Sequence, residues 1–312
     1  MKANLRILYE SLIDLLRYMQ ASPLLGRKRH EIAHLEGNII RLYHVIEKGL
    51  AMPDFRERFG INLVQDLVNK LEKWKSIKPN KESIHFFAAE EVLRNYYYRH
   101  YQLGIEVADI IPSSYTEKPK SLNIGGIKPV PSIDKNWTES FSNVVRSRVS
   151  VRNFDKKRIP TREIIQSAVK LAIVTPSVCN RQTWRVHVYK GEKIQKLLSL
   201  QNGNRGFSHT IPTLLIITTD MRYFTGAIER YQPWIDGGMF SMTLLLALHS
   251  LGLGAVSLNW SVLNSNDKKM RERAKIPDYE RIIMLIGCGY PQDSSFTPNS
   301  VRAPLESFVT WN

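Results

Sequence analysis

The hydrophobic periodicity of this chain changes character once, near residue 112, and that change bounds what it can fold into. Residues 1–110 repeat apolar side chains at helical spacing almost without a break. In 1–20 they fall at Leu5, Leu8, Tyr9, Leu12, Ile13, Leu16 and Met19; in 31–48, at Ile32, Leu35, Ile39, Ile40, Leu42 and Ile46. Further helices are expected over 61–74 and 82–105. The last is dense in rings (Phe86, Phe87, Tyr96, Tyr97, Tyr98, Tyr101) that read as packing. The second helix is expected to stop where Gly49 takes the left-handed position beyond its end, with Pro53 following. Pro112, Pro119, Gly125, Gly126, Pro129 and Pro131 then punctuate a stretch without periodicity, a linker or wrapping arm over 112–137.

From residue 138 helical and strand patterns alternate. Helices are expected over 161–173, with Thr161 as N-cap and Glu163 in the first turn, over 236–250, and over 267–274. Strands are expected over 185–189, 213–219, 255–260 and 281–286. The fold class that follows is α+β: one sheet flanked by helices in 138–312, preceded by an all-helical domain over 1–111.

Hydrophobic residues at 43% and charged ones at 23% are globular proportions, ample for cores without staples. Cys179 and Cys288 alone give no disulfide framework and no zinc cluster. Glu10, Asp14 and Arg17 interrupt the first helix, so it reads as neither signal segment nor membrane span, and a reducing cytoplasm is expected. His44 and Glu47 share a helix face, but in the reverse of the Glu-x-x-His order of di-iron bundles, and no metal is expected. The net charge of +15 divides as +4 through residue 120 and +11 beyond it. The excess lies where a phosphate-bearing ligand would bind, although a solvated basic surface explains it as well. No nucleic-acid partner is expected, and contact of the N-terminal helices with a membrane surface stays open.

Four segments of the C-terminal half carry chemistry. Arg148, Ser150 and Arg152 alternate, so in an extended segment two guanidiniums and a hydroxyl point to one side, suited to phosphate. Pro176, Ser177, Asn180 and Gln182 lie in a polar turn before Trp184, and their amides both donate and accept. A long apolar helix follows Trp234 and reverses at Gly252 and Gly254 into a strand ending at Leu258, Asn259 and Trp260. Last come Gly289-Tyr290-Pro291 and Arg302-Ala303-Pro304.

In that order these motifs resemble the nitroreductase family of FMN-dependent enzymes over about residues 140–312. The resemblance implies that Arg148, Ser150 and Arg152 hold the phosphate and ribityl end of FMN, with Arg302 closing on the phosphate. It implies that Pro176, Ser177, Asn180 and Gln182 lie by the flavin, in a loop that can come from the opposite subunit of a homodimer. The backbone at Leu258, Asn259 and Trp260 would face flavin N5. Asn259-Trp260 departs from the small or acidic residues usual there, and Thr183 replaces a proline. The implied activity is two-electron transfer from NADH or NADPH to a small nitro, quinone or enone-like acceptor, with no catalytic side chain, because the flavin carries the hydride. Alternatives are other flavin chemistry (dehalogenation, flavin fragmentation, metabolite oxidation) and a partner-binding role on a vestigial flavin fold.

Around this site, His209 is a candidate to meet substrate, and Tyr223, Tyr231 and Trp234 are candidates to line a substrate slot, with packing under a loop as the alternative. Cys179 reads as a small packing residue, and His187 and His249 as satisfied core residues.

Overall fold

Helix-forming sequence and strand-forming sequence build separate apolar cores here, joined along one face. The computed structural model describes residues 3–77, 83–120, 124–132, 136–293 and 295–312. Met1 and Glu82, where two of the expected helices begin, lie outside the described residues, as do 121–123 and 133–135 of the arm.

The N-terminal part comprises α1 (Ala3–Ala21), α2 (Pro23–Gly26), α3 (Glu31–Leu50), α4 (Ile61–Ile77) and α5 (Ile84–Gln102). Ile39, Ile40, Leu42 and Ile46 of α3 meet Val64, Leu67 and Leu71 of α4 and Ala89, Val92, Leu93 and Tyr96 of α5. Val107, Ile110, Ile111 and Tyr115 extend this core past α5. The arm beyond wraps back onto it: Gly126 N–H donates to Glu47 at 3.0 Å, and Gly125 lies against Ala88 and Val92. The other Glu47 oxygen meets His44 Nδ1 at 3.3 Å, so this pair ties the arm to α3. Among the described residues no three His, Cys, Asp or Glu side chains group to hold a metal ion.

One expectation here fails. Gly49 does not end α3; the helix runs to Leu50 and caps at Ala51 with φ −90°. Gly49 is instead a point of close packing, where a Cβ would overlap the ring of Phe59. A glycine near a helix end can serve either purpose, and a tertiary contact ten residues away decided between them.

The C-terminal part begins with α6 (Trp137–Ser147), for which the sequence reading assigned no element. Then follow α7 (Arg162–Ala172), β1 (Trp184–Lys190), α8 (Lys193–Leu198), β2 (Thr213–Asp220), α9 (Gln232–Ser250), β3 (Gly254–Asn259), α10 (Asn264–Ala274) and β4 (Glu280–Gly289). Thr161 caps α7 as expected, its Oγ1 accepting from Ile164 N–H at 3.4 Å. The four strands form one antiparallel sheet in the order β1-β2-β4-β3. Leu214 and Ile216 of β2 face one layer with Leu197 of α8 and Met270 of α10. Leu215 and Ile217 face the other, with Ile165 of α7 and Phe240, Leu244 and Leu248 of α9. Both faces are covered, which is why β2 reads as a continuous apolar run.

The two parts are locked at the sheet end where β1 starts and β2 stops. Asp14 of α1 accepts from Arg281 at 2.5 Å, Arg17 pairs with Asp267 at 2.9 Å, and Glu10 accepts from the Asn264 backbone and amide at 2.9 and 2.6 Å. Burial opposes ionisation of Asp267, but Arg271 and Arg17 outweigh it and hold its carboxyl below the usual range. Among the described residues no helix is long and apolar enough to cross a membrane.

Candidate functional site

Two polar surfaces of the C-terminal domain can be built from the residues singled out above, and they lie at opposite corners of the sheet. The first is the segment after α6. Arg148 leaves the helix in extended conformation (φ −66°, ψ 117°), and Ser150 pairs alongside Ala255 of β3, with Val151 N–H donating to Ala255 O at 3.0 Å. The extended backbone puts Arg148, Ser150 and Arg152 on one side, as their alternation predicts. Arg152 is exposed, its guanidinium 5.9 Å from the Phe207 ring, and its carbonyl accepts from Thr210 Oγ1 at 3.1 Å. The C-terminal arm crosses this segment: Thr297 Oγ1 donates to Ser150 O at 3.3 Å, and the exposed Arg302 lies five residues on. Among the described residues Arg148, Arg152 and Arg302 form no ion pair with a carboxylate. Guanidiniums without carboxylate partners on one exposed strip can bind a phosphate ester.

Farther along β3 the strip becomes uncharged. Asn259 stands four residues from Ala255, about 13 Å at strand rise. Its carbonyl accepts from Gln201 Nε2 at 3.1 Å, its Oδ1 accepts from Ser261 N–H at 3.2 Å, and Leu258 beside it is buried. Trp260 turns inward: its indole N–H donates to Asp267 at 2.8 Å, and the ring packs on the core beneath β2. Its bulk is therefore a strut between β3 and α10.

The second surface is the loop 175–183. Cys179, Asn180 and Gln182 all have positive φ (50°, 53° and 51°), a conformation that costs non-glycine residues about 1–3 kcal/mol each and persists only when surroundings impose it. The surroundings do so. Ser177 Oγ accepts from Gln182 N–H at 3.0 Å, and Val178 N–H donates to both oxygens of Asp236 at 3.3 Å. Arg181 turns down into the protein with no exposed side chain and pairs with Glu229 at 2.5 Å. Burial raises the pKa of Asp236, while Gln232, Val178 N–H and Arg181 pull it back. The outcome is a rigid turn with Asn180 exposed and the Gln182 amide beside it, Nε2 donating to Asn180 Oδ1 at 3.2 Å. Pro176 is exposed at the loop's start. Trp184 ends the loop, stacked on Phe240 with centroids 4.9 Å apart.

The register fixes how far apart the two surfaces are. Trp184 pairs with Thr219 at one end of β1–β2, whereas Ala255 aligns through Cys288 and Thr213 with Lys190 at the other end. The loop and the arginine strip thus sit at diagonal corners, roughly 25 Å apart by strand spacing and rise.

The remaining candidates fall elsewhere. Tyr223 is committed to packing: its hydroxyl donates to Glu36 of α3 at 2.6 Å, and burial, then the Glu36 charge, pushes its pKa far up. Trp234 lies under Arg281 at the domain junction, 5.3 Å from guanidinium to ring. Tyr231 is exposed at the start of α9 with Arg230 over its ring, and His209 is exposed in a short turn before β2. His187 meets Glu280 at 2.6 Å in mid-sheet. His249 is partnered by Ser147 Oγ at 2.8 Å but half-exposed, and burial together with the Arg148 charge lowers its pKa. Cys179 is half-buried at the strained turn. The sequence reading missed Glu229 and Asp236, which hold the loop from 48 and 58 residues away. No local pattern marks such partners.

Residues 145–203 and 195–290 match the model of the Nitroreductase family. NADH dehydrogenase of Thermus thermophilus is 24% identical over 198 residues, covering 53% of this chain and 92% of that protein. Iodotyrosine deiodinase 1 of Homo sapiens is 23% identical over 201 residues, covering 55% and 68%. In three dimensions, a nitroreductase-type protein of Bacillus subtilis superposes with a TM-score of 0.50 at 15% identity, covering 56% of this chain and 99% of its own; at that identity the likeness speaks for the fold alone. The match to the nitroreductase family model thus spans residues 145–290 and does not reach the N-terminal helices.

Proposed function

We propose that the protein is an FMN-dependent oxidoreductase that transfers two electrons from NADH or NADPH to a small nitro, quinone or enone-like acceptor. The observation that carries this reading is the arginine strip: Arg148 and Arg152, without carboxylate partners among the described residues, on the segment beside Ala255 of β3, the strand that runs on to Asn259, with Arg302 on the C-terminal arm that crosses it. A degenerate flavin fold serving only as a binding scaffold would have no reason to keep it.

FMN, when bound, would supply the centre that accepts and donates hydride. The protein's part is positioning. Arg148, Arg152 and Arg302 bind the phosphate as charge-assisted donors, and Ser150 offers a hydroxyl beside them. The amides of Asn180 and Gln182 match the alternating donors and acceptors at the edge of a flavin ring. Because loop and strip lie at diagonal corners of one sheet, the strip of one protomer would meet the loop of another, and the working unit is a homodimer. Exposed apolar side chains support this: Phe141 on α6, Ile235 and Met239 on α9, and Phe308 and Trp311 on the C-terminal arm.

The likeness to a deiodinase supports a second reading, reductive removal of halogen from an aromatic ring by the same cofactor. Anaerobic NADH and NADPH oxidation, followed with nitro, quinone, enone and halophenol acceptors on protein whose mass is measured by light scattering, tests both. The expected result is acceptor-dependent oxidation by a particle of twice 36.0 kDa. Oxidation coupled only to halophenols would favour the second reading, and a monomer without turnover would contradict the proposal.

A further inference from the structure

The helical domain touches the strained loop itself. Val178 packs on Tyr18 and Ala21 of α1 together with Met221 and Phe224, and α3 runs past the same turn. From α1, the Tyr18 hydroxyl donates to Gly226 O at 2.8 Å. From the loop, Arg181 donates to one oxygen of Glu229, whose other oxygen accepts from Thr225 and Gly226 N–H at 2.9 and 3.3 Å. Helix α1 and the loop therefore hold the same short turn, 225–229, from its two sides. Among the described residues Arg181 Nε and Nη2 have no hydrogen-bond partner, so Glu229 is the carboxylate that holds this guanidinium, which also lies 5.6 Å from the Phe224 ring. Tyr18 shares the pocket: burial, then the Glu229 charge, pushes its hydroxyl pKa up to about 12. One turn away α3 is held equally close, because a Cβ on Gly37 would come within 3.0 Å of the Tyr223 carbonyl.

We propose that the N-terminal helical domain is a brace for the flavin site: through Tyr18, the turn 225–229, Glu229 and Arg181 it sets the left-handed conformation that presents Asn180 and Gln182. Tyr18 and Arg181 are then positioning residues, acting through the loop without touching cofactor. This inference rests on the flavin reading above and assigns a task to the domain which the family match leaves out. The alternative, a docking module whose contacts with the flavin domain are incidental, makes the opposite prediction for the loop.

The test compares Tyr18→Phe with Leu71→Ala in the full-length protein. Tyr18→Phe removes the hydroxyl that grips Gly226 and leaves the ring. Leu71 is fully buried in the helical core and distant from the loop, so its truncation lowers stability without altering the brace. FMN affinity is read by fluorescence titration and bound-flavin asymmetry by visible circular dichroism. Amide hydrogen exchange over 176–183 needs no flavin. Tyr18→Phe is expected to weaken FMN binding about fivefold, change the dichroic band and speed exchange in the loop, at the level of one lost hydrogen bond. Leu71→Ala is expected to lower the melting temperature more while leaving all three unchanged. Equal loop exchange and equal affinity in both variants would overturn the brace. If the wild-type protein bound no FMN, the flavin reading would fall, and the exchange comparison would still decide whether α1 holds the loop.

Discussion

Replacing Arg148 and Arg152 together by alanine is expected to weaken FMN binding by at least about a hundredfold. A hydrogen bond to a charged group is worth about 1.5–3 kcal/mol, and each 1.4 kcal/mol is tenfold in affinity. Neither side chain has a carboxylate partner among the described residues, so the substitution relieves no ion pair and strands no anion. Affinity for riboflavin, which lacks the phosphate, should change little. That contrast checks the assignment by titration: equal losses for both flavins would mean that the arginines act on something other than phosphate. Raising ionic strength should weaken FMN binding in the wild-type protein and much less in the double variant.

Glu229→Ala is expected to cost about 3–5 kcal/mol of stability, because it leaves the fully buried Arg181 charge unpaired. Chemical denaturation measures it as a shifted midpoint at unchanged slope. Removing both partners, as Arg181→Met with Glu229→Ala, should cost less than Glu229→Ala alone, since no buried charge is then stranded. A loss below 1 kcal/mol in the single variant would mean that the pocket admits water freely. The same pair explains how three residues with positive φ can persist in so short a loop. Their conformational cost is offset by the buried Arg181–Glu229 pair, by Asp236 accepting from Val178 N–H, and by the apolar contact of Val178 with α1.

Much of the fold was legible because its signals are local. Both faces of β2 are covered, so Leu214–Ile217 is an unbroken apolar run, and α9 is apolar nearly all round, packing one side on the sheet and leaving Ile235, Met239 and Met242 exposed. Thr161 caps α7 by a contact three residues away. Four short motifs in a fixed order located the nitroreductase-like fold, since each marks a backbone requirement: an extended edge, a rigid turn, a chain reversal, a strand end. What the sequence hid depends on distant partners. Gly49 looks like a helix terminator until Phe59 is packed on it. Trp260 stands out in sequence as a departure from the small or acidic residues usual there, and only the fold shows Asp267, seven residues away but across a turn, taking its indole N–H. Tyr223 looks like a candidate to line a substrate slot until Glu36, 187 positions earlier, accepts its hydroxyl. The missed helix α6 buries none of its residues, yet Trp137, Phe141, Val144 and Val145 recur at i, i+4, i+7 and i+8, a helical signal that was there to be read.

The helical domain was the least legible part for the same reason. Its own core is written in helical periodicity, but its seam with the C-terminal domain includes Glu10, Asp14, Arg17 and Tyr18, the residues that interrupt or border the apolar stripe of α1. Read alone they mark a solvated face. In the folded chain they bind the second domain.

The most direct test of the account is the visible spectrum of the protein purified without added cofactor, followed by denaturation and identification of whatever is released. The account predicts the double absorption band of a bound flavin and release of FMN in proportion to protein. A colourless protein that neither retains nor takes up FMN would contradict it and leave the arginine strip to some other phosphate-bearing ligand.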